Sequence, residues 1–263
     1  MARKSMKNLI NLIEAEKQSL PTEQAFLNDL KRSIEITAEN EKRKPSLTYK
    51  PSGMNCIRRS YYEITGKEMD ESNQSFNFIG ICNTGTDTHV RIQTAVSLMK
   101  ENGMDCEWID VAEFVKSREL NDLEIKSHQG METKLYHKKL NISFMCDGII
   151  RYKGKYYILE IKTEGSNKFW NRNGVAEEHY NQATAYSIAL ELNDIIFVYI
   201  SRDTLDMKSF LFTPTNDMKQ NLIGYIENCN GYIKRLITPP KPENVDRKTC
   251  SYCSYKTQCR KDG

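Results

Sequence analysis

Two runs of apolar, β-branched and aromatic residues flank the dipeptide Lys153-Gly154, and this pattern predicts a β-hairpin. Glycine is common in the two-residue loops that join antiparallel strands, because such loops require backbone angles that other residues rarely adopt. If these two residues form the whole loop, Tyr152 pairs with Lys155. The register of the remaining residues then follows by counting outward from that pair.

Counting outward places Asp147 directly opposite Glu160. Because side chains alternate between the two faces of a strand, Lys162 shares the face of Glu160. The pattern therefore predicts two carboxylates about 5 Å apart with an ammonium group beside them. The prediction depends on the register, since a slip of one residue would move Glu160 to the other face.

Segments with helical and strand-like periodicity alternate along the rest of the chain, which predicts an α/β fold with a mixed central sheet flanked by helices. A helix is predicted to begin at the N-cap candidate Ser52. The other predicted helices cover 80–100, 177–192 and 215–236, and the predicted strands cover 132–142, as the first core strand, and 194–201, as a buried strand.

The N-terminal segment 1–45 is polar and predicted to be helical, with an apolar stripe from Leu9 to Ile13 and a second helix beginning at Pro21. We interpret it as a helical cap or arm, and a protein partner bound through this arm is the alternative. Prolines at 239, 240 and 242 predict a stiff linker into a cysteine-rich tail. The predicted domains are therefore an arm over 1–45, a core over 46–237 and a tail over 238–263.

Composition narrows the class of protein. The 263 residues are 39% hydrophobic and 28% charged, and no apolar run approaches the ~20 residues of a membrane-spanning helix. The net charge of +3 is too small to indicate a polyanionic partner by itself. Eight cysteines without a secretory signal are typical of thiols or metal ligands in a reducing, cytoplasmic protein that does not bind membranes.

The predicted carboxylate pair has a chemical use. Like charges directly opposite each other destabilise a sheet, and a hard divalent cation such as Mg²⁺ or Mn²⁺ would compensate Asp147 and Glu160. Lys162 would then orient a metal-bound water or help to deprotonate it, which suits metal-assisted phosphodiester hydrolysis. The alternative is an edge hairpin with three charged side chains on its wet face.

Several motifs, in order along the chain, resemble the PD-(D/E)XK nuclease superfamily. Asp147 followed by Glu160-Ile-Lys162 looks like the core motif of that superfamily. The segment Gly85-Thr-Asp-Thr-His89 is similar to the helix that precedes the core in its RecB-type branch, and Gln182-Ala-Thr-Ala-Tyr186 matches the branch's Q-x-x-x-Y motif. This branch includes the AddAB nuclease domains and the CRISPR adaptation exonucleases.

The resemblance implies a restriction-endonuclease-like core and a role for each matching residue. His89, Asp147, Glu160 and the carbonyl of Ile161 would hold Mg²⁺ or Mn²⁺. Lys162 would position the attacking water, and Gln182 and Tyr186 would steady the phosphate. One position departs from the family, because the small residue usually found three positions before the aspartate is Phe144 here. This departure affects the expected packing of the hairpin.

The tail contains a second set of candidate ligands. Cys250-x2-Cys253-x5-Cys259 offers three thiolates, and no histidine follows His179, so the fourth ligand of a closed site has to come from elsewhere. Cys229 is the nearest cysteine in the sequence. Four thiolates suit either Zn²⁺ or an iron–sulfur cluster.

The resemblance to the iron–sulfur members of the branch selects Cys56 as the fourth ligand and a 4Fe–4S cluster as the group, with Zn²⁺ as the alternative. The cluster would have a structural role, because it would tie the tail to a helix almost two hundred residues earlier.

Together these residues predict a metal-dependent deoxyribonuclease. The resemblance implies an exonuclease that acts on single-stranded DNA or frayed DNA ends, in replication, recombination, repair or CRISPR adaptation. The alternative is a non-catalytic DNA-binding or protein-bridging subunit that keeps the nuclease fold. A retired site usually loses its lysine or a carboxylate, so the presence of Asp147, Glu160 and Lys162 favours the enzyme.

Overall fold

The computed structural model describes residues 21–40, 44–70, 75–129, 131–243, 245 and 247–263. The apolar stripe predicted between Leu9 and Ile13 lies outside these residues. The chain forms two compact units. Of the described residues, the first comprises 21–40 and 75–83, and the second comprises those from 44 to 70 and from 84 to 263.

The described helices and strands are named in chain order. The helices are α1 (Thr22–Asn40), α2 (Ile57–Ile64), α3 (Phe76–Ser97), α4 (Val111–Ser117), α5 (Ser166–Trp170), α6 (Tyr180–Leu190), α7 (Asn216–Arg235), α8 (Arg247–Ser251) and α9 (Lys256–Lys261). The strands are β1 (Cys106–Ile109), β2 (Leu123–Gln129), β3 (Glu132–His137), β4 (Ile142–Phe144), β5 (Gly148–Tyr152), β6 (Lys155–Glu164), β7 (Ile195–Ser201) and β8 (Met207–Phe212).

In the first unit, α1 begins directly after Pro21, which confirms the predicted second helix of the N-terminal segment. The carboxylate of Glu35 accepts a hydrogen bond from the backbone N–H of Phe76, at 3.0 Å, at the start of α3. The ammonium group of Lys31 lies 5.9 Å from the centre of the Phe76 ring. These two contacts join α1 to the first turn of α3 within this unit.

The second unit is built on a five-stranded sheet with the order β1-β5-β6-β7-β8. Strands β6 and β7 run parallel, and the other neighbours are antiparallel. Strands β2, β3 and β4 form a separate antiparallel sheet. A mixed central sheet flanked by helices is the coarse fold that the sequence predicts. None of the helices among the described residues has the length and apolar character to cross a membrane.

The hairpin of β5 and β6 has the predicted register. Lys153 and Gly154 both have positive φ, 48° and 79°, which is the conformation of a tight two-residue hairpin turn. Tyr152 pairs with Lys155, and the ladder continues to the pair of Gly148 and Leu159. A Cβ at Gly148 would lie 2.4 Å from the ring of Trp108, so only glycine fits at the start of β5.

The two faces of the sheet are covered by different helices. On one face, Leu159 and Ile161 of β6 belong to an apolar cluster against which Ile92 and Val96 of α3 pack. On the other face, buried residues of β6 and β7 join a larger core that includes Ala183 and Tyr186 of α6. Burial of each large apolar side chain contributes about 1.5–3 kcal/mol to folding. Glu160 and Lys162 of β6 therefore lie in a sheet held between two helical layers.

Two predicted elements differ from the structure. The helix expected from Ser52 begins at Ile57, because Pro51–Gly53 form a short 3₁₀ turn instead. Cys56 has extended backbone angles, φ −147° and ψ 111°, and is the N-cap residue of α2. The predicted strand over 132–142 is two strands, β3 and β4, in the smaller sheet, and Asn141 between them has φ 51°.

The predictions for later elements are confirmed. Helices α3, α6 and α7 lie where helical periodicity placed them, and β7 is the strand predicted from the continuous apolar run. Thr215 caps α7 by accepting a hydrogen bond from the backbone N–H of Met218, at 3.2 Å. The domain boundaries at 45 and 237 remain predictions.

Candidate functional site

At the centre of the site, the side chain of Asp147 forms a hydrogen bond with the backbone of β6 where the neighbouring strand has ended. Strand β5 begins at Gly148, whereas β6 continues to Glu164, so the ladder between them ends at Leu159. Beyond that point the carboxylate of Asp147 accepts the hydrogen bond from the backbone N–H of Ile161, at 2.6 Å from Oδ2. The position of Asp147 is therefore set by the backbone of β6 and agrees with the predicted placement opposite Glu160.

Helix α3 supplies two further groups. Nδ1 of His89 lies 3.0 Å from Oδ1 of Asp147, and Nε2 of Gln93 donates to the backbone oxygen of Asp147 at 2.7 Å. The two side chains are four residues apart and share one helix face. Burial lowers the pKa of His89, but the hydrogen bond and the charge of Asp147 outweigh burial and raise that pKa overall. Asp147 therefore favours the protonated form of His89 relative to an imidazole without this partner.

Glu160 is the most deeply buried charged group of the site, with a side chain that is 4% exposed. Its Oε1 accepts hydrogen bonds from Nζ of Lys162, at 2.5 Å, and from Nε2 of Gln182, at 2.8 Å. Its Oε2 has no hydrogen-bond donor in the part of the chain that the structure describes. Burial, followed by the negative charge of Asp147, raises the pKa of Glu160. A cation beside Oε2 would offset both the cost of burying the charged carboxylate and its repulsion by Asp147.

Helix α6 closes the site from the other layer. Oε1 of Gln182 accepts from Nζ of Lys162 at 3.1 Å, while Nε2 also donates to the hydroxyl of Tyr186 at 2.8 Å. One amide thus contacts the lysine, the buried carboxylate and the tyrosine. Gln182 can therefore hold Lys162 and Glu160 at a fixed separation. It can also contact Tyr186, because residues four apart share one face of a helix.

Tyr186 connects α6 to the segment before Asp147. Its hydroxyl donates to the backbone oxygen of Met145 at 2.9 Å, and its ring stacks on Phe144 with centroids 5.1 Å apart. Burial, followed by the charge of Glu160, raises the pKa of Tyr186 well above its usual range. The ring of Phe144 therefore supports the ring of Tyr186, and the hydroxyl of Tyr186 is a neutral donor.

The structure brings the predicted side chains together in one cluster: His89, Asp147, Glu160, Lys162, Gln182 and Tyr186. Ile161 contributes its backbone N–H, and its predicted role as a carbonyl ligand remains a prediction. Gln93 and the carbonyl of Met145 were not predicted. The spacing of four between His89 and Gln93 was the available signal for the first, whereas no side-chain pattern reveals a carbonyl.

The connection from β6 to α6 is fastened by a second buried ion pair. The guanidinium of Arg172 donates to both oxygens of Glu164, at 2.7 and 2.5 Å, and lies 4.3 Å from the centre of the Tyr199 ring. The hydroxyl of Tyr199 accepts from the backbone N–H of Ala176 at 3.1 Å. These contacts fix the segment that leads into the helix carrying Gln182.

His179 lies just before α6 and is neutral at pH 7. Its Nδ1 is 2.9 Å from the hydroxyl of Tyr199, and its ring stacks on Phe197 with centroids 6.0 Å apart. Burial, followed by the positive charge of Lys162, lowers the pKa of His179 to about 4. An unfolded chain would bind a proton here near pH 6.5, whereas the folded chain resists it until about pH 4.

We expect the free energy of unfolding to fall as the pH drops from about 6.5 towards 4, with up to about 3 kcal/mol lost through His179. The sign follows because the unfolded state binds more protons than the folded state in this window. His179→Gln should flatten that slope, measured by urea unfolding between pH 7 and 4.5. The wild-type protein is the reference, and equal slopes for wild type and His179→Gln would contradict this assignment.

The four cysteines predicted as ligands line one cavity of about 200 Å³. Cys56 reaches it from the N-cap of α2, and Cys250, Cys253 and Cys259 reach it from the tail. Among the described residues, the charged side chains in its wall are all basic: Arg58, Arg59, Lys241, Lys256 and Arg260. Burial raises the pKa of Cys56, the backbone N–H groups of Arg59 and Arg58 oppose it, and the neighbouring Cys259 and Cys250 raise it further.

Cys229 does not line this cavity. It is fully buried in the main core, where its thiol lies 3.9 Å from the backbone oxygen of Ile57. The tail is also attached to α2 by two tyrosine hydroxyls. Tyr62 donates to Asp262 at 2.6 Å, and the buried Tyr255 donates to Glu63 at 2.7 Å. The structure therefore groups Cys56, and not Cys229, with the tail cysteines.

Within the described ranges, no three His, Cys, Asp or Glu side chains are already arranged to hold a metal ion. At the carboxylates, both oxygens of Asp147 are already in hydrogen bonds, one with His89 and the other with the N–H of Ile161. Cation binding there requires His89 to exchange its hydrogen bond for a bond to the ion. The unpartnered Oε2 of Glu160 and the set of hard oxygen ligands fit Mg²⁺ or Mn²⁺.

Comparison with known proteins leaves the family open. No family model matches the chain, and no curated protein matches it. Among solved structures, the chain is similar to the crystal structure of SSO0001, with 17% sequence identity and a TM-score of 0.49. The match covers 91% of this chain and 98% of that one. At this level of similarity the match carries no argument about function.

Proposed function

We propose that this chain is a metal-dependent deoxyribonuclease of the PD-(D/E)XK type, from the RecB-like branch. One observation carries the proposal: a buried carboxylate oxygen of Glu160, without a donor among the described residues, belongs to a site that also contains Asp147 and Lys162. Lys162 offsets part of the negative charge of the two carboxylates, and a divalent cation beside Oε2 of Glu160 would offset the remainder. A purely structural site would be better served by neutral side chains.

Asp147, Glu160 and His89, with the carbonyl of Ile161, would hold Mg²⁺ or Mn²⁺. When bound, the cation would act as a Lewis acid towards the phosphate and lower the pKa of a bound water. An imidazole ligand suits Mn²⁺ better than Mg²⁺, so Mn²⁺ should support the faster reaction. Asp147 would keep its hydrogen bond from Ile161, which sets the direction of its second oxygen.

Lys162 and the residues of α6 would act on the reacting groups. Lys162 donates to Glu160 and Gln182 and is 20% exposed, so a water molecule can reach its ammonium group. It would orient that water and stabilise the hydroxide that attacks phosphorus. Gln182 would exchange its hydrogen bond to Glu160 for one to a phosphate oxygen, and it would keep its hydrogen bond to the neutral hydroxyl of Tyr186.

We expect Lys162→Met to lower the single-turnover cleavage rate by about a hundredfold or more, because a positioned acid–base group typically contributes that much. Affinity for Mn²⁺ and for DNA should change little. Lys155→Met, at the exposed start of the same strand, is the control and should cleave at the wild-type rate. Loss of Mn²⁺ binding in Lys162→Met would instead make Lys162 a structural partner of Glu160.

We also propose that Cys56, Cys250, Cys253 and Cys259 hold a 4Fe–4S cluster. The resemblance to the iron–sulfur members of the branch supports this choice over zinc, and the four cysteines line one cavity. The basic wall also complements a group bound by four thiolates. The cluster would tie the tail to α2.

The RecB-like branch implies single-stranded DNA or frayed DNA ends as the substrate, and a cleavage assay tests this. Anaerobically prepared protein is incubated with end-labelled single-stranded DNA and blunt duplex DNA, in EDTA, Mg²⁺ or Mn²⁺. We expect cleavage only with a cation, faster with Mn²⁺, and faster on the single strand. DNA that is bound but not cut under every condition would favour the alternative, a non-catalytic subunit.

A further inference from the structure

The guanidinium group of Arg58 is built into the wall of the cysteine cavity. Arg58 is 4% exposed and lies two residues after Cys56, in the first turn of α2. Its Nε donates to the backbone oxygen of Pro239 at 2.8 Å. Its Nη1 donates to the backbone oxygens of Cys259 and Gly263, at 3.2 and 3.0 Å.

The same nitrogen also reaches a sulfur. Nη1 of Arg58 lies 3.6 Å from Sγ of Cys259, which is hydrogen-bond distance for sulfur. Nη1 has two N–H bonds for three acceptors, so one N–H is shared between the backbone oxygen and the sulfur of Cys259, and the contacts to Pro239 and Gly263 fix its direction. A lysine cannot reproduce this arrangement, because its single ammonium group cannot reach all four acceptors.

We propose that Arg58 is a positioning residue that donates a hydrogen bond to the Cys259 thiolate and thereby raises the reduction potential of the metal group held there. This inference rests on the proposed iron–sulfur cluster. A donor and a positive charge beside a ligating sulfur stabilise the more negative, reduced form of a cluster. Arg58 also fixes the position of Cys259 relative to Cys56, because Cys56 is the N-cap of α2 and Arg58, which contacts Cys259, lies in the first turn of the same helix.

Arg59 provides a matched comparison. It is the next residue, it lines the same cavity and it carries the same charge. Its positive charge acts on Cys253, where it partly opposes the raising of that thiol's pKa by burial. Arg59 thus represents charge near the cluster, whereas Arg58 adds a directed hydrogen bond to a ligand sulfur.

The test is an anaerobic dithionite titration of the visible absorbance and the electron paramagnetic resonance signal, with iron, sulfide and circular dichroism measured on each preparation. Wild type, Arg58→Gln, Arg58→Lys and Arg59→Gln are compared. We expect the midpoint potential to fall most in Arg58→Gln, less in Arg58→Lys and least in Arg59→Gln. Arg58→Lys keeps the charge but loses the directed hydrogen bond. If Arg58→Gln does not retain iron, a lower midpoint potential in Arg58→Lys than in wild type supports the role of the hydrogen bond.

Each failure has a different signature. Wild-type protein without iron and sulfide would overturn the proposed cluster, and the role of Arg58 with it. A normal cluster whose midpoint is unchanged in both Arg58 variants would overturn only the role of Arg58. Equal shifts in Arg58→Gln and Arg59→Gln would show that charge acts without the hydrogen bond, and would also overturn it.

Discussion

Replacement of Glu160 by glutamine should lower the cleavage rate by about a thousandfold or more while leaving the protein at least as stable. The rate falls because an amide is a poor ligand for a hard divalent cation and removes one of the two carboxylates. Stability is kept because glutamine has the same shape and can still accept hydrogen bonds from Lys162 and Gln182. Burial and the charge of Asp147 disfavour the ionised form of Glu160, so a neutral residue relieves that penalty.

The measurement is a single-turnover cleavage assay in Mn²⁺, paired with a thermal melt in EDTA. Asp147→Asn should lose activity similarly, although it also changes the hydrogen bond with His89. Glu107→Gln, at a carboxylate that is 38% exposed, is the control and should be fully active. A Glu160→Gln variant that cleaves at the wild-type rate, or one that melts well below wild type, would contradict the account.

Replacement of any cysteine in the cavity by serine should remove the metal group and destabilise the tail. Protein prepared without oxygen should be brown, with broad absorbance near ~400 nm, and Cys56→Ser should be colourless. The same loss is expected for Cys250→Ser, Cys253→Ser and Cys259→Ser. A structural metal site contributes directly to folding free energy, so these variants should lose several kcal/mol, measured by denaturant unfolding.

Other cysteines serve as controls for this experiment. Cys82→Ser, at an exposed thiol, should keep both colour and stability. Cys229→Ser should keep its colour, because Cys229 lies in the main core and outside the cavity. Colourless wild-type protein with one zinc per chain would replace the cluster by a zinc site. A coloured Cys56→Ser beside a bleached Cys229→Ser would move the fourth ligand to Cys229.

The hairpin could be predicted from the sequence because its register depends on local chemistry. Lys153-Gly154 defines a two-residue turn, and the alternation of side chains then decides the face of every residue up to Glu160. The buried strand β7 was predictable for a similar reason, since seven consecutive strand residues are apolar or small. In both cases the information lies within a few residues of the element it specifies.

Other features depend on contacts that no local pattern reveals. Strand β2 has mainly exposed residues, so it lacks the alternation that identifies a half-buried strand. The break between β3 and β4 follows from a turn that ends at Asn141 with positive φ. The hydrogen bond from the backbone N–H of Ile161 to Asp147 depends on the ladder between β5 and β6 stopping at the pair of Gly148 and Leu159. The meeting of Cys56 with Cys259 joins segments two hundred residues apart.

The central claim is that Asp147 and Glu160 bind a divalent cation, and titration of Mn²⁺ tests it most directly. Bound Mn²⁺ loses the six-line paramagnetic resonance signal of the free ion, so binding can be counted without any substrate. We predict one tightly bound Mn²⁺ per wild-type chain and none in Glu160→Gln, with normal binding in Glu107→Gln. Equal binding by wild type and Glu160→Gln, or no binding by the wild-type protein, would contradict the account.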